Sequence, residues 1–218
     1  MDYIVQIIIN CILSYLIGSI SGSMVLGKLK GVDIRKMGSG NAGGTNAFRT
    51  VGPLFALGVI FIDILKGYIS VIYISQLNLM DAVNLSSNEV MNIACAISAV
   101  LGHVYPLYYN FKGGKGAGTL IGIIAALFPF KVLIYAVSSW IVVLVFTGYV
   151  GLGTIVAGIT LAVNAYIIFS GTEFSEYIYF AISMALFIIF THRTNIVRML
   201  NGNENQFEKI MIIKKLFK

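Results

Sequence analysis

Three stretches of this chain concentrate residue types suited to holding phosphate. Residues 33–49 read DIRKMGSGNAGGTNAFR, with glycine at 38, 40, 43 and 44. Glycine lets the backbone turn tightly and present successive N–H groups, which together form an anion-binding nest. Gly38, Gly40 and Gly43 are candidates for that nest. Ser39, Asn41, Thr45 and Asn46 add neutral hydrogen-bonding groups, and Arg49 adds a rigid fork that matches phosphate. Residues 111–119 read FKGGKGAGT and open an apolar segment. Glycine-rich backbone at a helix N-terminus binds phosphate through exposed N–H groups and the helix dipole. Lys112, Gly113, Gly114, Lys115 and Gly116 are the candidates there. Residues 192–198 read HRTNIVR. If that segment continues a helix, His192 and Asn195 share a face, with Arg193 beside them. Glu204 and Glu208 are the only acids nearby.

Each stretch has a plainer alternative: a flexible connector whose basic residues set only topology, a glycine hinge, an interfacial histidine. The first is disfavoured because a linker has no need of Asn, Thr and Arg packed around its glycines. Familiar phosphate and acyl-transfer motifs are missing. Gly38, Gly40 and Gly43 match a dinucleotide fingerprint, but no strand precedes them. Around Lys115, Gly116 stands where a P-loop has Ser or Thr, and Tyr109 where it has Gly. Five residues after His103 comes Tyr108, and five after His192 comes Val197, so there is no HxxxxD signature; nor is there a GxSxG elbow.

The elements that must carry these stretches are read from hydropathy. The chain has 218 residues, 58% hydrophobic and 11% charged, with mean hydropathy +0.88. This excludes a soluble globular enzyme, a disordered chain and a nucleic-acid module. An all-α integral membrane protein is expected, a single membrane-embedded domain over residues 1–218. Seven spans are predicted, at about 3–26, 54–75, 90–109, 116–130, 132–147, 153–171 and 177–191. The fourth is short, about 22 Å against a hydrocarbon core of about 30 Å, and is expected to be buried in the bundle. Within the second, Asp63 and Lys66 lie one turn apart and are expected to form a structural ion pair, since intramembrane charges are costly and usually paired. A direct role at the site is the alternative. His103, in Gly102-His103-Val104-Tyr105-Pro106, reads equally well as packing or as part of a site.

Basic residues orient the bundle. With the N-terminus outside, Lys28, Lys30, Arg35, Lys36, Arg49, Lys112, Lys115, Arg193, Arg198, Lys209, Lys214, Lys215 and Lys218 fall inside, while Lys131 alone falls outside with Asp2, Asp81, Glu89, Glu173 and Glu176. The positive-inside rule then predicts an outside N-terminus and a cytoplasmic C-terminus, with all three phosphate-type stretches on the cytoplasmic face. Cys11 and Cys95 lie in apolar runs and read as core residues, and the two histidines do not make a metal site. No metal or cofactor is expected.

Taken in order, the Gly-Ser-Gly-Asn run at 38–41 with Thr45, Asn46 and Arg49, the Gly-His at 102–103 with Pro106, FKGGKG at 111–116, HRTNIVR at 192–198 and the trailing Glu204 resemble the bacterial acyl-phosphate:glycerol-3-phosphate acyltransferases (the PlsY family) over nearly the whole chain. The resemblance implies a multi-pass plasma-membrane enzyme with its site on the cytoplasmic side. Such an enzyme moves a fatty acyl group from acyl phosphate to the 1-hydroxyl of sn-glycerol 3-phosphate. Lysophosphatidate and inorganic phosphate result, the first step of phospholipid synthesis; whether a separate acyltransferase supplies the donor as a partner is left open. Ser39, Arg49, Lys115, His192 and Asn195 take the catalytic positions by this resemblance, and Glu204 supports the site. The chain departs from the pattern with Ser21 in Gly18-Ser19-Ile20-Ser21-Gly22, with Gly44, with Gly118 in place of Ala, and with Gly151 and Gly153 in place of Ser and Ala. Two other classes are weighed against it. A CDP-alcohol phosphotransferase needs an aspartate-rich metal motif, and Asp33 stands alone in the inside loops. A transporter of phosphorylated solutes usually shows paired inverted repeats, and none is evident.

Overall fold

The computed structural model describes residues 2–79, 89–208 and 211. Asp81, Lys209, Lys214, Lys215 and Lys218 of the charge reading lie outside them. Among the described residues every regular element is helical. The chain divides into two compact units, Met1–Leu127 and Phe128–Lys218.

The first unit contains α1 (Asp2–Gly18), α2 (Gly22–Lys30), α3 (Gly44–Thr50), α4 (Pro53–Ile69), α5 (Glu89–Val104) and α6 (Ala117–Leu127). A 3-10 turn at Ile34–Lys36 precedes α3, a π turn at Ser70–Ile74 extends α4, and a second 3-10 turn at Leu107–Tyr109 follows α5. Small residues let these helices approach closely, as lipid-embedded helices require. A Cβ on Gly18 would strike the Ala99 backbone, and one on Gly102 would strike Tyr15. Likewise Gly67 packs on Thr119 and Gly122 on Ile64, which seats α6 against α4. The buried stripe of α1 is polar: Gln6, Asn10, Ser14 and Gly18 recur every fourth residue. Gln6 Nε2 donates to Asn10 Oδ1 at 2.8 Å, and Asn10 Nδ2 to the Leu77 carbonyl at 3.1 Å, so these amides serve backbone that follows the π turn.

The expected continuous first helix over 3–26 is instead broken at Ser19–Ser21, between α1 and α2. The physical reason lies in α4. Freed backbone groups at membrane depth survive only when buried partners satisfy them, and Lys66 and Asp63 do so here, donating to the Ile20 carbonyl and accepting from the Gly22 N–H.

The second unit contains α7 (Phe130–Thr147), α8 (Val150–Phe169), α9 (Glu176–Thr191) and α10 (Arg193–Leu200). Gly148, at φ 73°, makes the left-handed turn that ends α7. Phe128, Phe169, Tyr177 and Phe180 form an aromatic cluster beside α9. Five helical stretches are long and apolar enough to cross a bilayer: Asp2–Lys30, Pro53–Ile74, Glu89–Tyr109, Phe130–Thr147 and Val150–Phe169. The pair α9–α10, bent by 54°, raises the number to six if it counts as one broken span. At 11 residues α6 is about 17 Å long, shorter than the hydrocarbon core. It buries Thr119, Leu120, Gly122, Ile123 and Ile124.

Candidate functional site

The first glycine-rich loop is folded around one side chain. Asn46, in the first turn of α3, is 2% exposed. Its Nδ2 donates to the carbonyls of Ile34 at 2.9 Å, Met37 at 3.0 Å and Asn41 at 3.0 Å, while its Oδ1 accepts from the Ser39 N–H at 3.0 Å. Gly38 (φ 55°) and Gly40 (φ 72°) hold left-handed turns on either side of Ser39. A Cβ on Gly38 would strike Asn46 Oδ1 and lie 2.8 Å from Thr50 Cγ2. Ser39 is thereby lifted into an exposed position, while Arg49 stands half-buried in the last turn of α3. Asn46 is thus the scaffold of this loop, a role that its sequence position alone did not separate from ligand binding. Asn46→Asp keeps the volume but turns an oxygen toward three carbonyls. The variant is expected to lose turnover by at least tenfold with increased proteolytic cleavage between 37 and 46, and unchanged digestion would refute the scaffold role.

Asp33 begins the turn that leads into this loop. Its carboxylate accepts from the Arg35 N–H at 3.0 Å, from Nε at 3.0 Å and from Nη2 at 2.9 Å. These hydrogen bonds from the Arg35 side chain, more than any other influence, hold the Asp33 carboxyl below its ordinary range. Arg35 Nη1 also donates to the Tyr109 carbonyl at 3.3 Å. That bond joins the first loop to the connection after α5, so both glycine-rich segments lie at the same end of the first unit.

The second glycine-rich segment folds back onto α5. The Gly114 N–H donates to the His103 carbonyl at 3.1 Å and the Gly113 N–H to the Val104 carbonyl at 3.2 Å. These two amides, expected as phosphate donors, are therefore engaged within the protein. The remaining donors at this position are the first-turn amides of α6, which lack intrahelical acceptors, next to Gly116 at φ 92°. Lys115 is half-buried at the mouth of α6 and Lys112 is exposed.

Beneath this segment lies a buried ionic cluster. Lys66 Nζ is 3.1 Å from Asp63 Oδ1, with side chains 4% and 3% exposed. The expected ion pair is present. His103 Nδ1 lies 3.5 Å from the same Oδ1, although among the described residues no acceptor is aligned with it for a hydrogen bond. The other edge of the imidazole faces Gly114, where a Cβ would strike Nε2. Gly118 rests on Asp63, its Cβ position 3.0 Å from the Asp63 Cβ. The sequence left His103 undecided because neither neighbour is near it in the chain.

In the second unit the helix does not run on through His192. It bends there, and His192 ends α9 and starts α10. His192 and Asn195 are both buried, the Asn195 N–H donating to the His192 carbonyl at 2.9 Å. His192 Nδ1 is 2.8 Å from the Ile188 carbonyl, which fixes the ring. Asn195 Nδ2 donates to Glu204 Oε1 at 2.9 Å, and Arg198 Nε to Glu204 Oε2 at 2.6 Å. Gly151 packs on the Asn195 side chain, its Cβ position 3.0 Å from Cβ, Cγ and Nδ2. Arg193 turns back to the Phe190 carbonyl at 3.0 Å and stacks over the Phe190 ring. Because Glu204 joins two donors, Glu204→Ala is expected to cost about 1.5–3 kcal/mol. It should appear as a lower thermal midpoint in detergent, and an unaltered midpoint would deny Glu204 its bridging role.

A family model described as glycerol-3-phosphate acyltransferase matches residues 8–202. Proteins named glycerol-3-phosphate acyltransferase are similar along almost their full length. The one from Endomicrobium trichonymphae is 38% identical over 95% of this chain and 98% of its own. Those from Staphylococcus haemolyticus and Aquifex aeolicus are 39% and 36% identical, over 91% and 90% of this chain and 96% of each of their own. Among solved structures, PlsY (YgiH), described as an integral membrane glycerol 3-phosphate acyltransferase, superimposes in its glycerol 3-phosphate form with TM-score 0.80 at 32% identity, over 97% of this chain and 99% of that one. Its lysophosphatidic acid form gives TM-score 0.79 with the same identity and coverage.

Proposed function

The chain belongs to the glycerol-3-phosphate acyltransferase family, and from that premise we propose that it transfers a fatty acyl group from acyl phosphate to the 1-hydroxyl of glycerol 3-phosphate. The products are lysophosphatidate and inorganic phosphate. Both substrates carry phosphate, and the observation that carries the reading is a pair of glycine-rich basic loops joined at one end of the first unit by the Arg35–Tyr109 bond of 3.3 Å. Ser39 and Arg49 contact the donor phosphate. Lys115 and the first-turn amides of α6 hold glycerol 3-phosphate, and His192 and Asn195 complete the catalytic set. Gly38, Asn41, Gly43, Thr45, Lys112, Gly116 and Arg193 remain assigned to substrate contact, whereas the Gly40 N–H, which donates to the Met37 carbonyl at 3.0 Å, is engaged within the loop as those of Gly113 and Gly114 are on α5.

Acyl phosphate arrives activated, since phosphate leaves readily, so the protein's contribution is position and neutralisation of charge. The 1-hydroxyl oxygen attacks the acyl carbonyl carbon, the bond to the phosphate oxygen breaks, and the departing phosphate takes the hydroxyl proton. No acyl-enzyme forms on Ser39. The bundle crosses the plasma membrane seven times, with α6 as a short internal crossing, its N-terminus outside and its C-terminus and active site cytoplasmic. The donor's chain lies among lipid-embedded helices.

Purified protein in lipid vesicles, given acyl phosphate and glycerol 3-phosphate, is expected to release phosphate and lysophosphatidate in equal amounts. Acyl-CoA in place of acyl phosphate should give neither. Phosphate crossing the vesicle wall without lipid formation would replace this reading with transport.

A further inference from the structure

Each glycine-rich loop is connected to the same buried charges. On one side, Lys66 Nζ donates to the Ile20 carbonyl at 2.8 Å, and Asp63 Oδ1 accepts from the Gly22 N–H at 3.3 Å. This secures the break between α1 and α2. From that break Ser23 Oγ donates to the Ala42 carbonyl at 2.9 Å, and Ser21 Oγ lies 3.1 Å from Ser23 Oγ. Ala42 is fully buried in the middle of the first loop. On the other side, His103 stands 3.5 Å from Asp63 Oδ1, receives the Gly114 N–H on its carbonyl at 3.1 Å, and presses its ring edge on Gly114.

An ion pair in the bundle interior is hard to explain by stability alone. Desolvating two charges is expensive, and an apolar pair of similar volume is often as stable or more so. What an apolar pair cannot supply is a donor for a bare carbonyl and an acceptor for a bare N–H at a broken helix. We infer that Asp63, Lys66 and His103 are positioning residues that set the two phosphate loops in register with one another, Asp63 and Lys66 acting on both loops and His103 on the second alone. This rests on the proposed acyl transfer for its kinetic consequence and on geometry alone for its structural one.

The test reads amide hydrogen exchange in the resting protein, without substrate, together with steady-state kinetics. Asp63→Leu with Lys66→Met removes both charges at once and leaves neither stranded. It is expected to melt below the parent, because the Ile20 carbonyl and the Gly22 N–H lose their partners, but well above Asp63→Leu alone, while exchange accelerates in both 38–46 and 113–118, and kcat/KM falls about a hundredfold per folded molecule, the scale of a misplacement near 1 Å. His103→Gln is expected to accelerate exchange in 113–118 only, and to raise KM for glycerol 3-phosphate while leaving that for acyl phosphate alone. Exchange unchanged in both loops of the double variant, or accelerated in both by His103→Gln, overturns the inference. The single variant decides the question even if the double variant does not fold. Exchange as expected with no lysophosphatidate from the parent protein would leave the positioning device standing and remove the acyl-transfer reading.

Discussion

Lys115→Ala and Arg49→Ala are each expected to lower acyl transfer by about 10²–10³, the usual effect of losing one donor aimed at developing charge. Both charges stand on turns that the rest of the loop has already organised. Arg49 lies in the last turn of the helix whose first turn holds Asn46, and Lys115 lies between Gly114, anchored on His103, and the first turn of α6. Removing either side chain deletes a cation from an organised turn, and the variants should still insert into the membrane. The measurement is lysophosphatidate formed per folded molecule in vesicles. Arg49→Lys should recover little, because an ammonium cannot reproduce the guanidinium's two parallel bonds. Near-parental transfer by both alanine variants would refute the site assignment.

Asp63→Leu alone is expected to be the most damaging change to stability. It leaves Lys66 charged, 4% exposed and without its carboxylate, and breaking one side of a buried pair costs about 3–5 kcal/mol. The Gly22 N–H loses its acceptor as well. Folded yield and thermal midpoint in detergent should fall steeply, and adding Lys66→Met should restore most of the loss. A single variant as stable as the parent would mean that Lys66 has another counter-charge. The comparison also separates two effects that a single substitution confounds, the penalty of a stranded charge and the worth of the pair itself.

Much of the site was legible along the chain because its signals are local. Glycines at 38, 40 and 116 announce turns, and they do adopt positive φ. Asp63 and Lys66, three residues apart on an apolar helix, had to pair. Glu204, given a supporting role by the resemblance alone, accepts from Asn195 and Arg198. Membrane embedding follows from composition, since a chain this apolar has no other solvent. The resemblance to the acyltransferases rested on ordered motifs, and the family match agrees with it.

The tertiary structure alone decided which polar groups are used up inside the protein. Asn46 read as a ligand contact and is a scaffold; Gly113 and Gly114 read as phosphate donors and bond to α5; whether the helix runs on through His192 was left open, and it bends there by 54°. The first span read as unbroken, yet it opens where Lys66 reaches the Ile20 carbonyl 46 residues away. A hydropathy pattern records whether a segment prefers lipid to water, which each residue answers nearly alone. Whether an amide, carbonyl or charge is satisfied depends on a partner brought near only by packing, and inside a membrane, without water to substitute, that partner determines both where a helix breaks and which donors remain for a ligand.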